Sequence, residues 1–363
     1  MDVSPFPYQG PLEPAQVRGR DDLITDLVER VTEHRVTALL GPRRYGKTSA
    51  LRRVASDVIA AGVAVVWVDL YEVASTADVA ARLDDALARV PGRFADMAAK
   101  VAAAASIHLG VVSFELRSAG SSRPDPVLTA HHLLDVLTRT AANTPTVVFF
   151  DEFYSIAKVD GAAGLLRTRL QHHYQDLGIV FAGSEPSMMR TLFTEQAAPF
   201  YAQADLVEIG PLSSEDIVSL VVDGFADTER QAGPLPPHIA AFAAGHPQRS
   251  MQVADTAWRL VGRGEAATQA TWEDTLERVR SATSDGNERL FSSLQDGEKT
   301  VLRAIAGGGS IFGTAARVLD LPTGTAQHAR TSLVNRGHLA RTAHGYAIVD
   351  PVFADWIRHR FPV

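Results

Sequence analysis

Short apolar runs alternate with longer segments of helical periodicity through the first two-thirds of the chain. The runs are rich in β-branched and aromatic residues without strict polar alternation, which is typical of strands covered by helices on both faces. This alternation predicts a parallel sheet sandwiched by helices, an α/β fold. The predicted strands are Val36–Leu40, Val63–Leu70, Thr146–Asp151, Ile179–Ser184 and Asp205–Ile209. The predicted helices are Asp21–Glu33, Gly46–Ala61, Thr76–Arg89, Ala130–Ala142 and Ala162–Gln175.

A segment at about residues 105–126 interrupts this alternation. Ser106–Leu116 has the composition of a strand or hairpin inserted between helices. Ser118–Pro126 is rich in Gly, Ser and Pro, as expected of a surface loop. We therefore predict that residues 1–210 form one α/β domain that carries this insertion.

The pattern becomes helical over residues 211–285, which we predict to form a small helical lid. Ser213 with Asp216 three residues later predicts a capping box, in which each side chain binds the other's backbone amide. Thr271 with Asp274 predicts a second one. Two further helices are expected, from Pro234–Pro237 to about Gly245 and from about Gln248 to Val261.

Residues 286–363 form a third predicted unit. Three helical patterns come first, and Gly307–Gly309 ends the first of them. Two short strands with a turn at His344-Gly345 then predict a hairpin, and a closing helix follows. Three helices with such a hairpin predict a winged-helix domain. The elements are Glu298–Ala306, Phe312–Leu319, Gly324–Arg336, Leu339–Thr342, Gly345–Val349 and Pro351–Arg360.

Composition excludes several classes of function. The 363 residues contain no cysteine, which excludes disulfides, thiolate metal sites and cysteine nucleophiles and is compatible with a cytoplasmic location. The longest apolar runs are far shorter than the ~18 residues of a transmembrane helix, so no membrane association is expected. The net charge of −7 argues against nucleic-acid binding over the whole surface. From Asp296 onward, however, the chain has eight Lys/Arg and five Asp/Glu, so this segment carries a net positive charge.

A phosphate-binding motif lies between the first strand and the next helix. Its pattern, G-x-x-x-x-G-K-T, supplies flexible glycines and backbone amides for phosphate oxygens, a lysine for the β- and γ-phosphates and a threonine hydroxyl for Mg²⁺. Only four lysines occur in the chain, so a lysine at this position of the motif is less readily explained by chance. We therefore predict an ATP–Mg²⁺ site. The residues are Gly41, Pro42, Arg43, Arg44, Tyr45, Gly46, Lys47 and Thr48.

Two acids end an apolar strand about a hundred residues later. Asp151 is expected to hold Mg²⁺ together with Thr48, and Glu152 to orient or deprotonate the attacking water. Ser184 ends the next strand, where it could sense the γ-phosphate or simply terminate the strand. The carboxyl ends of parallel strands meet at one edge of a sheet, so we expect these residues close together. The catalytic candidates are Lys47, Asp151, Glu152 and Ser184.

Arginine candidates for charge neutralisation are less specific. Arg167, Arg169 and Arg190 lie near these motifs in sequence and could act in cis or in trans. Arginine is abundant in this chain, and each of the three is more simply explained as a solvated surface residue.

Together, the phosphate loop with Ser49–Leu51 after it, Phe149–Glu152, Gly183-Ser184 and the C-terminal unit resemble the archaeal-type ATPases of the STAND branch of AAA+ P-loop NTPases. The resemblance covers about residues 15–360. It implies that Ser49 belongs to the nucleotide site, that Arg18, Gly19 and Arg20 form a box near the adenine, and that Pro247 of Gly245-His246-Pro247 contacts the nucleotide. No arginine-finger motif can be assigned.

Two functions from different classes fit the sequence. The first is an ATP-hydrolysing switch that couples nucleotide state to the position of the winged helix and to assembly with itself or a protein partner. The alternative is an ATP-regulated protein that binds duplex DNA through the winged helix. A third reading, ATP as structural glue, is disfavoured by the presence of Glu152. The DNA-facing candidates are Gln327, His328, Arg330, Thr331, Arg336, Arg341 and His344.

Overall fold

A five-stranded parallel sheet forms the centre of one part of the chain in the computed structural model. Its strand order is β2–β3–β4–β1–β5, and every neighbouring pair is parallel. β3 and β4 are buried along their whole length, which explains their uninterrupted apolar sequence. The predicted parallel sheet is confirmed. The strands are β1 Thr37–Leu40, β2 Ala64–Asp69, β3 Thr146–Asp151, β4 Leu177–Gly183 and β5 Asp205–Glu208.

The structure describes residues 2–104, 108–110, 125–310, 313, 317–319, 321–342 and 345–363. These fall into two compact units. The sheet unit comprises Glu13–Gly41 and Lys47–Ile209. The helical unit comprises Met1–Leu12, Pro42–Gly46 and Gly210–Val363, so it includes the tip of the phosphate motif.

Seven helices of the described sheet unit accompany the strands. α4 is absent from the sequence prediction because its alanine-rich stretch has no strong apolar run to mark it. α5 begins at Pro126 rather than Ala130, since Asp125 caps it by accepting hydrogen bonds from the amides of Val127 and Leu128. The helices are α1 Asp21–Thr32, α2 Lys47–Ala60, α3 Thr76–Ala88, α4 Arg93–Ala104, α5 Pro126–Ala141, α6 Ala162–Leu170 and α7 Pro186–Thr194. Short 3-10 helices span Pro14–Gln16 and Phe153–Lys158.

The helical unit contains seven further described helices and a hairpin. β6 and β7 pair in antiparallel fashion, as predicted. The elements are α8 Ser214–Ala226, α9 Leu235–Ala243, α10 Pro247–Trp258, α11 Gln269–Ser292, α12 Asp296–Ala306, α13 Thr323–Asn335, β6 Leu339–Thr342, β7 Gly345–Ile348 and α14 Pro351–Arg360.

Two predicted elements fall mainly outside the described residues. The inserted strand or hairpin Ser106–Leu116 is described only at 108–110, and the helix Phe312–Leu319 only at 313 and 317–319. The winged helix therefore stays a prediction, as does the three-part division at residues 210 and 285.

One of the two predicted capping boxes is present and the other is wrong. Ser213 and Asp216 cap α8 reciprocally, as predicted. The start of α11, however, is capped by Thr268, whose hydroxyl accepts from the amide of Thr271 at 3.3 Å. Thr271 is thus the third helical residue instead of the cap, and the helix begins one turn earlier than Thr271–Asp274 implied.

The N-terminal residues pack within the helical unit. Phe6 is fully buried and lies 5.8 Å from Phe225, ring centre to ring centre. Gly224 accommodates it, because a Cβ there would stand 2.5 Å from the Phe6 ring. The compact unit that contains the sheet therefore starts at Glu13, twelve residues after the predicted domain start.

Within its described residues, the helical unit has two hydrophobic cores. The first, here called the lid core, is formed mainly by α8 to α11 and includes Ile217, Phe225 and Ile239. The second, the C-terminal core, is formed by α11 to α14 and includes Phe291. Among the described residues no helix is long and apolar enough to span a membrane.

Candidate functional site

The phosphate loop directly follows strand β1, which lies between β4 and β5 in the sheet. Gly41 is required there because β1 pairs with β5, and a Cβ on Gly41 would stand 2.3 Å from Cγ2 of Ile209. Gly46, with φ of +86°, turns the chain into α2. Arg44 also has a positive φ, +68°, which is uncommon for a residue with a side chain. The loop geometry thus explains both glycines of the motif.

Lys47 lies at the first residue of α2 and is 5% exposed. Its ammonium group donates a hydrogen bond to the carbonyl oxygen of Gly41 at 2.8 Å. The charge is therefore directed back toward Gly41, the first residue of the motif. Ser49, two residues later, is also buried.

The predicted metal ligands lie together at the carboxyl end of β3. The Thr48 hydroxyl donates to Oδ2 of Asp151 at 3.1 Å, and the Glu152 amide donates to Oδ1 at 3.0 Å. A hydroxyl and a carboxylate are oxygen donors of the kind that Mg²⁺ prefers. The donor set in the sheet unit therefore fits this ion.

Asp151 is only 6% exposed. Burial and the neighbouring Glu152 raise its pKa to about 6, against the opposing effect of the hydrogen bond from Thr48. Asp69, on the adjacent strand β2 and in register with Asp151, adds to the raised pKa. A cation at this position would favour the charged carboxylate.

Asp69 is not among the site residues predicted from the sequence. It ends β2 as Asp151 ends β3, so acids ending two neighbouring parallel strands were the available signal.

Glu152 and Ser184 are in direct contact. Glu152 has a left-handed backbone, with φ of 52° and ψ of 40°. Its Oε2 accepts hydrogen bonds from the Ser184 hydroxyl at 2.8 Å and the Ser184 amide at 3.1 Å. The predicted γ-phosphate contact of Ser184 stays untested, while the described geometry makes it the residue that holds Glu152.

A cluster of phenylalanines supports this strand end. Phe153, which follows Glu152 directly, is fully buried and lies 4.3 Å from Phe181 of β4 by ring centres. Phe150, Phe193 and Phe200 complete the cluster. The residue after the predicted base is therefore fixed in the core, which restricts where Glu152 can lie.

The three arginine candidates lie at different places. Arg169 donates hydrogen bonds to His131 and, at 2.9 Å, to Asp135 on α5. Arg190 forms an ion pair with Glu208 of β5. Arg167 has a buried Nε without a hydrogen-bond partner among the described residues. Arg169 and Arg190 thus have structural partners within their own unit.

The tip of the phosphate loop lies in the helical unit, next to the start of α10. The Tyr45 ring meets the His246 ring edge-to-face, with centres 5.0 Å apart. Burial is the main cause that lowers the pKa of His246 to about 4. Desolvation and the charge of Arg249 lower the pKa of Arg44, and the charge of Asp350 acts in the opposite direction. His246 makes this ring contact with the loop, and the predicted nucleotide contact of its neighbour Pro247 stays a prediction.

The remaining predicted residues have the following positions. Gly19 has a φ of +65° and, with the exposed Arg18 and with Arg20, forms the turn before α1. Pro42 is half-buried and Arg43 exposed. Pro247 is the first residue of α10 and half-buried.

Some of the predicted DNA-facing residues are exposed, and others are in contact with side chains of the same unit. Gln327, His328 and Thr331 are exposed on α13. Arg330 lies over the ring of Tyr346 in the hairpin, 5.5 Å from its centre. Arg336 instead forms an ion pair with the buried Glu298 at 3.1 Å. Arg341 lies on β6, and His344 is outside the described residues.

A glycine-containing phosphate loop after β1, with two acids at the end of β3, on the far side of β4 in the same parallel sheet, defines a Walker-type nucleoside triphosphatase. Residues 20–248 match the family described as an ATPase domain predominantly from Archaea. The match covers more than half of the chain. The chain belongs to this ATPase family, and its enzymatic class is ATP hydrolysis.

Solved structures show the same fold. The Walker-type ATPase paby2304 of Pyrococcus abyssi is 19% identical and has a TM-score of 0.71, over 98% of this chain and 99% of that one. The ORC2 protein of Aeropyrum pernix, solved as ADPNP-ADP complexes, is 15% identical with a TM-score of 0.59, over 98% of both chains. No protein with a curated description matches the sequence.

Proposed function

We propose that this ATPase is a molecular switch, in which the nucleotide at Gly41–Thr48 controls the arrangement of the helical unit and thereby assembly with itself or a protein partner. The observation that carries the proposal is the contact of Tyr45, at the tip of the phosphate loop, with His246 at the start of α10. A change in the loop on binding phosphates would reach α10 directly. Such a switch needs a ligand that binds its two states unequally.

The hydrolytic step is assigned to residues of the sheet unit. Lys47 would neutralise charge on the β- and γ-phosphates, and Thr48 and Asp151 would hold Mg²⁺, which supplies further neutralisation. Glu152 would orient the attacking water and accept its proton, with Ser184 fixing the carboxylate. The 2.8 Å and 3.1 Å hydrogen bonds from Ser184 support this role.

We also propose which residues surround the adenine and the phosphates of the nucleotide. Arg18, Gly19 and Arg20 would lie on the adenine side, and Pro247 would contact the nucleotide. The loop residues Pro42, Arg43, Arg44, Tyr45, Gly46 and Ser49 would surround the phosphates.

The test compares the size of the protein with and without ATP and Mg²⁺, by light scattering after gel filtration. Glu152→Gln should bind ATP but hydrolyse it roughly 10²–10⁴-fold more slowly, because the proton acceptor is lost. It should therefore accumulate the ATP-bound assembly. Glu29→Gln, an exposed acid on α1, is the matched control and should behave as wild type.

A constant size and an unchanged hydrogen-exchange pattern in the helical unit with ATP, in both wild type and Glu152→Gln, would refute the switch. Hydrolysis without either change would leave an ATPase with a different role.

Duplex DNA is a second candidate partner, favoured by Arg330, which stacks on Tyr346 beside the exposed Gln327 and His328. The ion pair of Arg336 with Glu298 weighs against it, because that charge is already compensated. Phosphate contacts would make binding fall steeply with salt. Arg330→Ala should weaken binding and Lys100→Ala, on α4, should not. Absence of binding at low salt, with and without ATP, would exclude this candidate.

A further inference from the structure

A continuous series of contacts leads from the phosphate loop to the last helix of the chain. Its first part is aromatic: Tyr45 packs edge-to-face on His246. His246 is the cap of α10, and its Nδ1 accepts a hydrogen bond from the amide of Arg249 at 3.3 Å. Tyr45, His246 and Arg249 are each less than 10% exposed, so this part is buried.

The second part is ionic. Arg249 donates from Nε to Oδ1 of Asp350 at 2.9 Å, and its Nη2 binds the other carboxylate oxygen. Such two-point pairs fix orientation as well as distance. Burial would raise the pKa of Asp350, but the hydrogen bonds and charge of Arg249 bring it below its usual value.

Asp350 also begins the final helix. Its Oδ1 accepts from the amides of Val352 at 3.0 Å and Phe353 at 3.4 Å, so the same carboxylate caps α14 and pairs with Arg249. Val352 belongs to the lid core and Phe353 to the C-terminal core. α14 is therefore anchored in both cores of the helical unit, immediately after Asp350.

Asp350 serves two arginines. It pairs with Arg249, and its negative charge also raises the pKa of Arg44 in the phosphate loop. The positive charge of Arg249 lowers the pKa of Arg44. Without Asp350 the repulsion between the charges of Arg249 and Arg44 would lose this opposing charge, and Arg249 would lose its ionic partner. This carboxylate, more than 300 residues from the loop in sequence, therefore influences the loop's surroundings.

We propose that Asp350 is a positioning residue for the phosphate loop, acting through Arg249 and His246 on Tyr45. By the reciprocity of coupled equilibria, nucleotide bound at the loop would then act on the start of α14. This inference rests on the proposed nucleotide site at Gly41–Thr48 and identifies how that site is regulated from the C-terminal end.

The test measures the dissociation constant of Mg·ADP by calorimetry for three single variants and for the double variant Asp350→Asn/Arg249→Met. Asp350→Asn keeps a good helix cap and removes the charge of the ion pair. Arg249→Met removes the partner. Asp355→Asn is the matched control, because Asp355 lies on α14, the helix that Asp350 caps, and is 4% exposed, but pairs with Arg280 of α11 at 2.7 Å.

For Asp350→Asn, a positioning role and a purely electrostatic role predict opposite changes in the affinity for Mg·ADP. Removing an acid near a polyphosphate site by itself tightens anion binding, and removing an arginine weakens it. If the pair positions the loop, both Asp350→Asn and Arg249→Met weaken Mg·ADP binding, by about fivefold or more. The double variant should then be about as weak as either single variant, since both break the same pair.

Steady-state hydrolysis gives a second readout. Loss of loop positioning should raise KM with little change in kcat, as expected for an interaction that serves binding. Asp355→Asn should lower the melting temperature yet keep wild-type KM and wild-type affinity for Mg·ADP.

The proposal is overturned if Asp350→Asn binds Mg·ADP as tightly as wild type or more tightly, or if Asp355→Asn weakens binding equally. Failure of the switch is separate: it would appear as absence of ATP-dependent change in wild type, whatever the variants do. Failure of the nucleotide site itself would appear as a Lys47→Ala variant that binds Mg·ADP normally.

Discussion

Individual side chains in this ATPase have their roles set by neighbours that are distant in sequence. The carboxylate of Glu152 is held by Ser184, 32 residues later, and Thr48 donates to Asp151 across 103 residues. Both contacts arise because the parallel strands β1, β3 and β4 end at the same edge of the sheet, where Thr48 follows β1, Glu152 follows β3 and Ser184 follows β4.

Ser184→Ala should slow ATP hydrolysis. It removes the hydroxyl that donates to Glu152 at 2.8 Å and leaves the weaker restraint of the amide. Loss of one hydrogen bond to a charged group should lower kcat roughly tenfold, less than Glu152→Gln. Steady-state phosphate release measures this, with Ser184→Thr, which keeps a hydroxyl, as the control. A kcat for Ser184→Ala equal to that of wild type would show that Ser184 does not hold a catalytic carboxylate.

His246 should make the helical unit less stable in acid. Burial lowers its pKa to about 4 in the folded protein, from 6.5. The unfolded chain binds more protons between these values, so its contribution to stability is complete above pH 6.5 and decreases as the pH falls toward 4. Between about pH 7.5 and about pH 5 this residue alone should remove about 2 kcal/mol from the free energy of unfolding.

Urea unfolding followed by tryptophan fluorescence measures this effect. A Trp67→Phe background restricts the signal to the helical unit, which holds the other three tryptophans. His246→Asn keeps a cap residue that does not titrate, and it should lose about 2 kcal/mol less than the reference between the two pH values. Equal losses in both proteins would mean that His246 is accessible to protons when folded.

At the scale of elements, the junction of β1 with the phosphate loop depends on a close approach of the backbone. A Cβ at Gly41 would meet Ile209 Cγ2 at 2.3 Å and the Ile209 carbonyl oxygen at 3.0 Å. Gly164, by contrast, lies within α6, and nothing stands within 4 Å of a Cβ built there. The two glycines therefore form a matched pair for one substitution.

Gly41→Ala should destabilise the sheet unit by about 1–3 kcal/mol, because β5 must shift to admit the methyl group. Gly164→Ala should stabilise it by up to about 1 kcal/mol, because alanine favours the helix. Thermal unfolding followed by circular dichroism measures both changes in stability. A neutral Gly41→Ala would mean that the β1–β5 junction adjusts more easily than its packing suggests.

At the scale of the whole molecule, binding of nucleotide should couple to global stability. A ligand that binds only the folded state at about 100 times its dissociation constant adds about 2.7 kcal/mol. Mg·ADP should therefore raise the melting temperature, and chelation of Mg²⁺ should reduce this shift. Lys47→Ala should abolish the shift, and Lys100→Ala, an exposed lysine on α4, should keep it. The same shift in Lys47→Ala and wild type would place the nucleotide elsewhere.

Local pattern and spacing were enough for much of the fold. β3 was predicted residue for residue, and α14 likewise, because each begins and ends at strong local signals. The phosphate loop was equally clear, since its two glycines, lysine and threonine act within eight consecutive residues. Parallel pairing followed from buried strands separated by helices.

Only the tertiary structure decided which side chains meet. The sequence could not show that Ser184 binds Glu152, that Asp69 lies in register with Asp151 or that residues 1–12 pack with the helical unit. Nor could it show Asp350 joined to Arg249, because no local pattern links residues 101 positions apart. Spacing along the chain fixes helices, strands and turns, whereas packing of the assembled elements decides which charges become partners.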